Sequence, residues 1–463
     1  MDYDVIVLGG GTAGLTAALT ARHFGASVAL VEERPRIGGD CTFFGCVPSK
    51  ALIEVAQLAH DLQRARGEGI AEGAPAFDFA AVMRRRARIV ERIAGDEQDE
   101  RFTSAGIDVI HARARFADEH TLELDGSRTA SARRFVVATG SLPAVPPITG
   151  LDAVPFLTNE TVFDLERLPA RLAVLGGGSV GLELAQAFRR LGSAVAVLEA
   201  ADRVLLEDEP DAGEAIARTL SAEGVELRLG ATVSAAEQRG DNIVLRLDGG
   251  ELVCDSLLVA TGRTGSVDSL GLEVELERGY VKIDCRCRTS LPHVYAAGDV
   301  TGGYQFTHVA SHEGRVAGAN AAGRRLRLDE RVVPWVTFTD PEVAHVGLTE
   351  AQARERHRRV EANVFPMSRV DRARILERPV GFVKLVTAAR PLLGRAGGGV
   401  LVGAQIVGPR AGELIQECAL AIRTRCFAGR LAQTIHAYPT MSLAVQQAES
   451  QLSALGRRLA PRG

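Results

Sequence analysis

The hydrophobic pattern near the start of the chain predicts a strand, a glycine turn and a helix in close succession. The run Asp4–Leu8 is almost wholly apolar, as expected of a strand buried on both faces. Gly9, Gly11 and Gly14 follow in the spacing Gly-x-Gly-x-x-Gly, and an apolar helical stretch and a second strand come next. That strand ends at Glu32. This succession is typical of a βαβ unit that binds a dinucleotide.

The same succession returns in the middle of the chain. The apolar strand Leu172–Leu175 leads to Gly176, Gly178 and Gly181 in the same spacing, and the strand after the helix ends at Glu199. The first glycine and the acid are equally far apart in the two copies. One isolated glycine pattern is weak evidence, but two copies with matching strands, helices and acids indicate two nucleotide-binding folds.

Each glycine of the pattern has a separate task. The first makes the turn, the second lets the backbone approach the pyrophosphate, and the third lets the helix pack closely on the sheet. The pyrophosphate is then expected at the helix N-terminus, where unpaired N–H groups and the helix dipole favour negative charge. Glu32 and Glu199 are expected to accept hydrogen bonds from ribose hydroxyls. Two dinucleotides in one chain indicate an electron donor and an electron acceptor, a nicotinamide and a flavin.

Glu199 also bears on which nicotinamide binds. A carboxylate repels the 2′-phosphate of NADPH, so this residue favours NADH. Arg203 lies four residues later and offers a cation for that phosphate, which leaves NADPH open as the alternative.

Composition narrows the function classes. The chain has 463 residues and a formal net charge of −4, so nucleic acid is not expected as a partner. No apolar run reaches the roughly 18 residues that a membrane span needs, and the first strand begins too early for a signal peptide. We therefore expect a cytoplasmic protein that does not bind membranes.

Seven cysteines are a sparse and odd number, which argues against a secreted disulfide scaffold. Cys41 and Cys46 lie in the segment Gly-Gly-Asp-Cys-Thr-Phe-Phe-Gly-Cys-Val-Pro-Ser-Lys. On one ideal helix their Cα atoms would lie about 8.6 Å apart, beyond the roughly 7 Å that a disulfide tolerates. A bond between them requires a distorted turn, which Gly45 and Pro48 permit.

Such a short and strained bridge would be easily reduced, and it suits electron transfer better than stabilisation. Two free buried thiols and half of a zinc site are the structural alternatives, but no second Cys/His pair has a matching spacing, and no metal site is expected. Cys285 and Cys287 are expected on one face of a strand, in a core or edge position.

Two further apolar strands end in Ala-Thr-Gly, at Gly140 and at Gly262, and Ala-Gly-Asp299 comes after them. With the glycine turns and the cysteine segment in this order, the chain resembles the FAD-dependent pyridine nucleotide–disulfide oxidoreductases. These include lipoamide dehydrogenase, glutathione reductase and mercuric reductase. The resemblance covers essentially the whole chain. It implies FAD on the first fold, with Thr139 and Gly140 among the cofactor contacts, and NAD(P)H on the second, with Gly262 among them.

The resemblance also implies a homodimer with active sites shared between subunits. We predict an α/β fold with two Rossmann-like domains and a C-terminal α+β dimerisation domain. Residues 1–148 are expected to form the first part of the FAD-binding domain, and the proline-rich stretch 142–147 marks its exit. Residues 149–265 would form the NAD(P)-binding domain, 266–333 the central part that returns to the FAD-binding domain, and 334–463 the interface domain.

The family's mechanism implies roles for single residues. Hydride passes from the nicotinamide to the flavin, and electrons leave the opposite flavin face to a disulfide between Cys41 and Cys46. Cys46 is expected to touch the flavin as the thiolate, and Cys41 to face the substrate. Lys50 is expected to place positive charge near the flavin and to pair with Glu183. Asp299, at a helix start, is expected to accept hydrogen bonds from the ribityl chain.

The C-terminal segment departs from the family at the position of the base. Members that handle dithiols have a histidine before Pro-Thr and a glutamate five residues after it, whereas this chain has Tyr438 and Leu443. Tyrosine, with an ordinary pKa near 10, is a poor base at pH 7. His436 is the alternative, since on an extended segment it would share the side of Tyr438.

Other matches favour the mercuric reductase-like branch, among them Gln305 and Phe306 after the Ala-Gly-Asp and Phe338 at the start of the interface domain. Parts that deliver mercury are not expected, because the last cysteine is Cys426 and no Cys-x-x-Cys module precedes the first strand. We predict electron transfer from NAD(P)H to a metal ion, a quinone or an unusual small disulfide. The alternative is a dihydrolipoamide dehydrogenase or another disulfide reductase that uses His436 as the base.

Overall fold

The first sheet holds the first glycine turn at its centre. A computed structural model describes residues 1–70, 72, 77–389 and 398–452 of the chain. In this sheet the strands run in the order β3-β2-β1-β6-β5-β4, and β18 pairs with β6. β1, β2, β3, β6 and β18 are parallel, whereas β4 and β5 join in antiparallel fashion. The strands are β1 (Tyr3–Leu8), β2 (Val28–Glu32), β3 (Ile107–His111), β4 (Ala114–Phe116), β5 (Thr121–Leu124), β6 (Arg128–Val137) and β18 (Val294–Ala296).

Helices cover this sheet and carry the cysteine segment. They are α1 (Thr12–His23), α2 (Gly39–Phe43), α3 (Cys46–Gly67), α4 (Phe79–Ala94), α5 (Asp99–Ser104) and α8 (Thr307–Ala321). α1 and α8 pack very closely, because a Cβ at Gly314 or Gly318 would lie 2.3 or 2.2 Å from a carbonyl oxygen of α1. The core around these helices is rich in alanine and valine, with a few larger side chains such as Phe102 and Tyr295, and the small residues suit so close an approach.

The second glycine turn belongs to a smaller parallel sheet of order β10-β9-β8-β14. A three-stranded antiparallel sheet, β11-β12-β13, packs beside it, and β7 pairs with β15 in the connection between the two nucleotide folds. The strands are β7 (Ser141–Pro143), β8 (Arg171–Leu175), β9 (Ala194–Glu199), β10 (Glu226–Leu229), β11 (Val233–Arg239), β12 (Asn242–Leu247), β13 (Gly250–Cys254), β14 (Ser256–Val259), β15 (Arg263–Gly265), β16 (Leu276–Glu277) and β17 (Tyr280–Val281), and the helices are α6 (Ser179–Leu191) and α7 (Pro210–Ala222).

The C-terminal part is an antiparallel sheet of order β19-β20-β23-β22-β21 with helices packed on it. Its strands are β19 (Pro334–Thr337), β20 (Glu342–Gly347), β21 (Val360–Pro366), β22 (Phe382–Ala388) and β23 (Val400–Gly408), and its helices are α9 (Glu350–Arg356), α10 (Asp371–Ile375), α11 (Ala411–Arg423), α12 (Ala428–Ala432) and α13 (Leu443–Leu452). The predicted fold class is therefore confirmed, while the exact domain boundaries stay a prediction.

Two local expectations are wrong. Asp299 opens a single 3₁₀ turn, Asp299–Thr301, and the helix begins later, at Thr307, because Gly302 and Gly303 interrupt it. Cys285 and Cys287 lie in a turn rather than on a strand; Cys285 is exposed and Cys287 is buried with a positive φ of 59°. Among the described residues, no helix is both long and apolar enough to cross a bilayer.

Candidate active site

Cys41 and Cys46 lie on two different helices that meet at a break in the chain. Cys41 is in α2, Cys46 is the first residue of α3, and Phe44 and Gly45 interrupt the helical path between them. Ser49 then ties the new helix to the break, since its hydroxyl donates to the Gly45 carbonyl at 2.7 Å. The distorted turn that a bond between the cysteines requires is therefore present. Both cysteines are free thiols in this structure.

The surroundings of the two thiols push their pKa values apart. A hydrogen bond from Cys41 lowers the pKa of Cys46 to about 6, and Thr307 and the charge of Lys50 act in the same direction against the effect of burial. The same hydrogen bond and burial raise the pKa of Cys41. Cys46 also lies at the N-terminus of a 22-residue helix, where a thiolate is favoured. These two shifts favour the thiolate at Cys46 and the thiol at Cys41.

Lys50 joins the cysteine helix to the second nucleotide fold. Its ammonium lies 2.6 Å from a carboxylate oxygen of Glu183, which is 4% exposed. The other oxygen of Glu183 accepts the backbone N–H of Phe338 at 2.8 Å, and the ammonium lies 4.7 Å from the centre of the Phe338 ring. The expected Lys50–Glu183 ion pair is present, and the cation is held beside the cysteines.

The first glycine turn has the shape of a pyrophosphate cradle. Gly9 has a φ of +102°, and a Cβ on Gly14 would lie 1.8 Å from the Gly9 carbonyl oxygen. The protein's own backbone therefore requires glycine at these two positions, whether or not a ligand is bound. A Cβ on Gly11 would meet only the Cα of Gly39, at 3.8 Å. The free space at Gly11 opens into the cleft, which fits a bound phosphate group at that place.

The second turn repeats this geometry. Gly176 has a φ of +108°, and a Cβ on Gly181 would lie 2.1 Å from the Gly176 carbonyl oxygen. At Gly178 a Cβ would meet no protein atom within 4 Å. The residues of both turns therefore fit dinucleotides in the manner that their spacing predicts.

The two acids after the second strands brace the glycine turns. Glu32 accepts the N–H groups of Gly10 at 2.6 Å and Arg34 at 2.8 Å. Glu199 accepts those of Gly177 at 2.6 Å and Ala201 at 2.8 Å. Both carboxylates line the cleft. The contact of Glu32 and Glu199 with ribose hydroxyls stays a prediction. The structure shows in addition that both carboxylates hold the backbone of the glycine turns in place.

One cleft of about 1780 Å³ runs past both glycine turns and the cysteine pair. Thr139, Gly140, Gly262 and Asp299 line it, as expected of cofactor contacts. The Thr139 hydroxyl donates to the carbonyl of Ser266. These four sequence-predicted cofactor residues thus meet in one place, although they come from three separate segments of the chain.

Sequence reasoning missed three residues at this cleft. The hydroxyl oxygen of Thr307 lies 3.4 Å from the Cys46 sulfur. Arg263 binds Asp40 and Asp299 with ion-pair distances of 3.3 and 3.7 Å. The position of Arg263 directly after the second Ala-Thr-Gly, and of Asp40 directly before Cys41, is the signal that would have found them.

The residues at the base position do not lie together. Tyr438 is 71% exposed and its hydroxyl donates to Asp371 at 3.1 Å, whereas the His436 side chain is only 7% exposed. Nε2 of His436 pairs with Glu417 at 3.1 Å, and Nδ1 pairs with the Thr434 carbonyl at 2.9 Å. The expectation that His436 shares the side of Tyr438 is wrong, because Glu417 draws the imidazole away from the surface.

Two Rossmann-like folds that share one cleft with a thiol pair define an oxidoreductase that couples a nicotinamide and a flavin to a dithiol. The chain belongs to the pyridine nucleotide–disulphide oxidoreductase family, whose model matches residues 3–314, while the model of the family's dimerisation domain matches residues 333–449. The enzyme uses FAD and NAD(P)H, as expected, and the matched dimerisation domain supports a homodimer.

Curated relatives and solved structures agree with this assignment. Mercuric reductase of Streptomyces lividans is 37% identical, over 96% of this chain and 95% of its own. Dihydrolipoyl dehydrogenase of Chlamydia muridarum is 34% identical, over 98% and 97%. The HOCl-induced flavoprotein disulfide reductase RclA of Escherichia coli is 28% identical, with a TM-score of 0.86 over 97% of this chain and 99% of its own. It has also been solved as a Cu(II) complex.

Proposed function

We propose that this enzyme passes electrons from NADH through the Cys41–Cys46 pair to a metal ion with high affinity for thiolates, such as Cu(II) or Hg(II). The observation that carries the proposal is the pairing of a low-pKa thiolate with an unsuitable base. Cys46 has a pKa of about 6, whereas a hydrogen bond to Asp371 raises the pKa of Tyr438. A thiolate binds soft metal ions directly, so this acceptor needs no base to activate an incoming thiol.

The chain's own residues support each step. FAD held at the first glycine turn would supply the hydride acceptor for NADH and the source of the electron pair for the disulfide. The S–S bond breaks, Cys46 keeps the negative charge beside Lys50, and Cys41 takes the proton, as the two pKa shifts favour. One Hg(II) or two Cu(II) ions then accept the two electrons, the S–S bond forms again and one proton is released.

The names of relatives point the same way. Several relatives that are 36–39% identical are mercuric reductases, and RclA forms a Cu(II) complex. Dihydrolipoyl dehydrogenase is also a relative, but a lipoamide reaction would need a free base. Both ring nitrogens of His436 are bonded within the chain, which disfavours it in that role.

NADH is the proposed donor. Glu199 ends β9, where the ribose is expected and where a 2′-phosphate would meet a carboxylate. The guanidinium of Arg203 donates to the carbonyls of Leu205 at 3.1 Å, Leu206 at 2.6 Å and Asp208 at 3.3 Å. It closes its own loop in this way and is poorly placed to neutralise a phosphate.

The test is anaerobic and aerobic NADH oxidation by the FAD-loaded enzyme with Cu(II), Hg(II), a quinone, lipoamide and glutathione disulfide as acceptors. We expect rapid turnover with a metal ion, complete loss of that turnover in Cys41→Ser and Cys46→Ser, and normal turnover in Cys285→Ser, a matched exposed thiol. Lipoamide turnover faster than that with either metal ion would overturn the proposal. So would metal reduction that survives both active-site substitutions.

Two further proposals follow from the family. An active site completed by both subunits of the homodimer is expected from the dimerisation domain, and a cytoplasmic location stays an expectation from the sequence. Mixed dimers of Cys46→Ser and Tyr438→Phe subunits would test the shared site by their residual activity.

A further inference from the structure

Arg263 lies in the segment that joins the two nucleotide folds, and it contacts the segment that carries the redox cysteines. It is the first residue of β15, whose antiparallel partner is β7. Its guanidinium donates to the hydroxyl of Ser141 at 2.6 Å, to the Ser141 carbonyl at 2.8 Å and to the side chain of Asn159 at 3.3 Å. With these donors fixed, the cation has one orientation, facing Asp40 and Asp299.

Asp40 is the residue before Cys41, so its contacts bear directly on the cysteine segment. One carboxylate oxygen lies 3.3 Å from Arg263. The Asn159 amide donates to the other oxygen at 3.3 Å and to the carbonyl of Phe44, in the break between the two helices, at 3.4 Å. Arg263 and Asn159 therefore hold both ends of the segment that spaces the two cysteines.

Loss of Arg263 would leave a larger excess of negative charge at this place. Asp299 and Glu160 raise the pKa of Asp40, and Arg34 acts with Arg263 to lower it. Burial raises the pKa of Asp40, and Arg263 is the strongest influence that lowers it. Added electrons leave negative charge on Cys46, so uncompensated carboxylates beside the pair would oppose its reduction.

We propose that Arg263 is the counterion of Asp40 and Asp299, and that its positive charge favours reduction of the neighbouring Cys41–Cys46 pair. Arg263 thus acts on the cysteine pair indirectly, because it holds Asp40 in place and offsets the charge of that carboxylate. The inference rests on the proposed redox role of the cysteine pair and is independent of the acceptor.

The test is the equilibrium of the FAD-loaded enzyme with a reference redox dye under anaerobic conditions. Arg263→Gln should lower the equilibrium constant for two-electron reduction about tenfold, which equals about 30 mV for a two-electron couple. Arg263→Lys keeps the charge and should stay close to wild type. Asp40→Asn combined with Arg263→Gln should return to within about twofold of wild type, because the unbalanced carboxylate is then gone.

Arg171→Gln is the matched control, since Arg171 contacts Asp255 and Asn242 in a similar way but outside the cleft. A value for Arg263→Gln equal to that of the control overturns the inference, and so does a double variant as low as Arg263→Gln itself. If Arg263→Gln does not bind FAD, Asp40→Asn alone decides: a raised equilibrium constant supports the inference and an unchanged or lower one overturns it. A wild-type enzyme without a two-electron stage overturns the redox role of the cysteines first.

Discussion

Lys50 and Glu183 are 133 residues apart in the chain and lie 2.6 Å from each other, so that one ion pair joins the cysteine helix α3 to the helix α6 of the second glycine turn. Both members of the pair act on the Cys46 thiol, since Lys50 lowers its pKa and Glu183 raises it. Their balance sets the charge next to the reactive sulfur.

Removal of either charge should therefore shift the Cys46 pKa in a known direction. In a Cys41→Ser background, which loses the Cys41 thiol that lowers the Cys46 pKa most, Lys50→Met should raise that pKa by about one unit relative to the background, and Glu183→Gln should lower it. The rate of alkylation of the reduced enzyme by iodoacetamide, followed against pH in the Cys41→Ser background, measures this pKa. Lys282→Met, which breaks an exposed pair with Glu275, is the control and should leave the profile unchanged. Equal profiles for all variants would contradict the assigned electrostatics.

The two glycine types of the second turn should respond differently to alanine. Gly181→Ala forces a Cβ to 2.1 Å from the Gly176 carbonyl oxygen and should lower the free energy of unfolding by about 1–3 kcal/mol. Gly178→Ala meets no protein atom and should cost less than about 1 kcal/mol. It should nevertheless weaken NADH binding at least about tenfold, because the Cβ enters the expected phosphate position. Chemical denaturation and fluorescence titration measure both effects; unchanged NADH affinity in Gly178→Ala would refute the cradle.

Glu199→Ser tests the choice of nicotinamide. Without the carboxylate, the ratio of kcat/KM for NADPH to that for NADH should rise about tenfold or more, since a like charge at the phosphate is removed. Because Glu199 also accepts the N–H groups of Gly177 and Ala201, Glu199→Gln serves as the control that keeps a hydrogen-bonding side chain without the charge. A ratio unaffected by both substitutions would mean that another residue selects the nucleotide.

Glu449 predicts a pH dependence of stability. It lies on the buried side of α13, neither carboxylate oxygen has a hydrogen-bond partner among the described residues, and burial raises its pKa to about 9. The unfolded chain loses this proton near pH 4.5, so the free energy of unfolding should fall between about pH 5 and pH 9, by at most about 1.4 kcal/mol per pH unit.

Glu449→Gln removes this titration and should stabilise the protein more at pH 8 than at pH 5. Denaturation midpoints at the two pH values measure the difference. Glu355→Gln, on the exposed surface of α9, should show no such change with pH. A variant at position 449 that is destabilised equally at both pH values would show that the carboxyl is charged in the fold.

The pairing of Lys50 with Glu183 was predicted from the resemblance to a known family. The local pattern of residues was enough to predict both nucleotide folds and the distorted turn between Cys41 and Cys46. The folds and the turn depend on hydrophobic periodicity and on the spacing of glycines. In both cases the residues that matter are close together in the sequence. The 3₁₀ turn at Asp299 was missed because a strand followed by an acid is equally typical of a helix start.

Other features depend on residues far apart in the chain, and periodicity contains no information about them. Arg263 meets Asp40 and Thr307 meets Cys46 only because the sheets bring their loops to one cleft. The direction of the His436 side chain is set by Glu417 on α11, so its position two residues before Tyr438 was a poor guide. The order of strands, glycines and cysteines thus determined the fold and the class of chemistry, whereas tertiary packing decided which charges surround the reactive sulfurs, because electrostatic energies depend on distance in space.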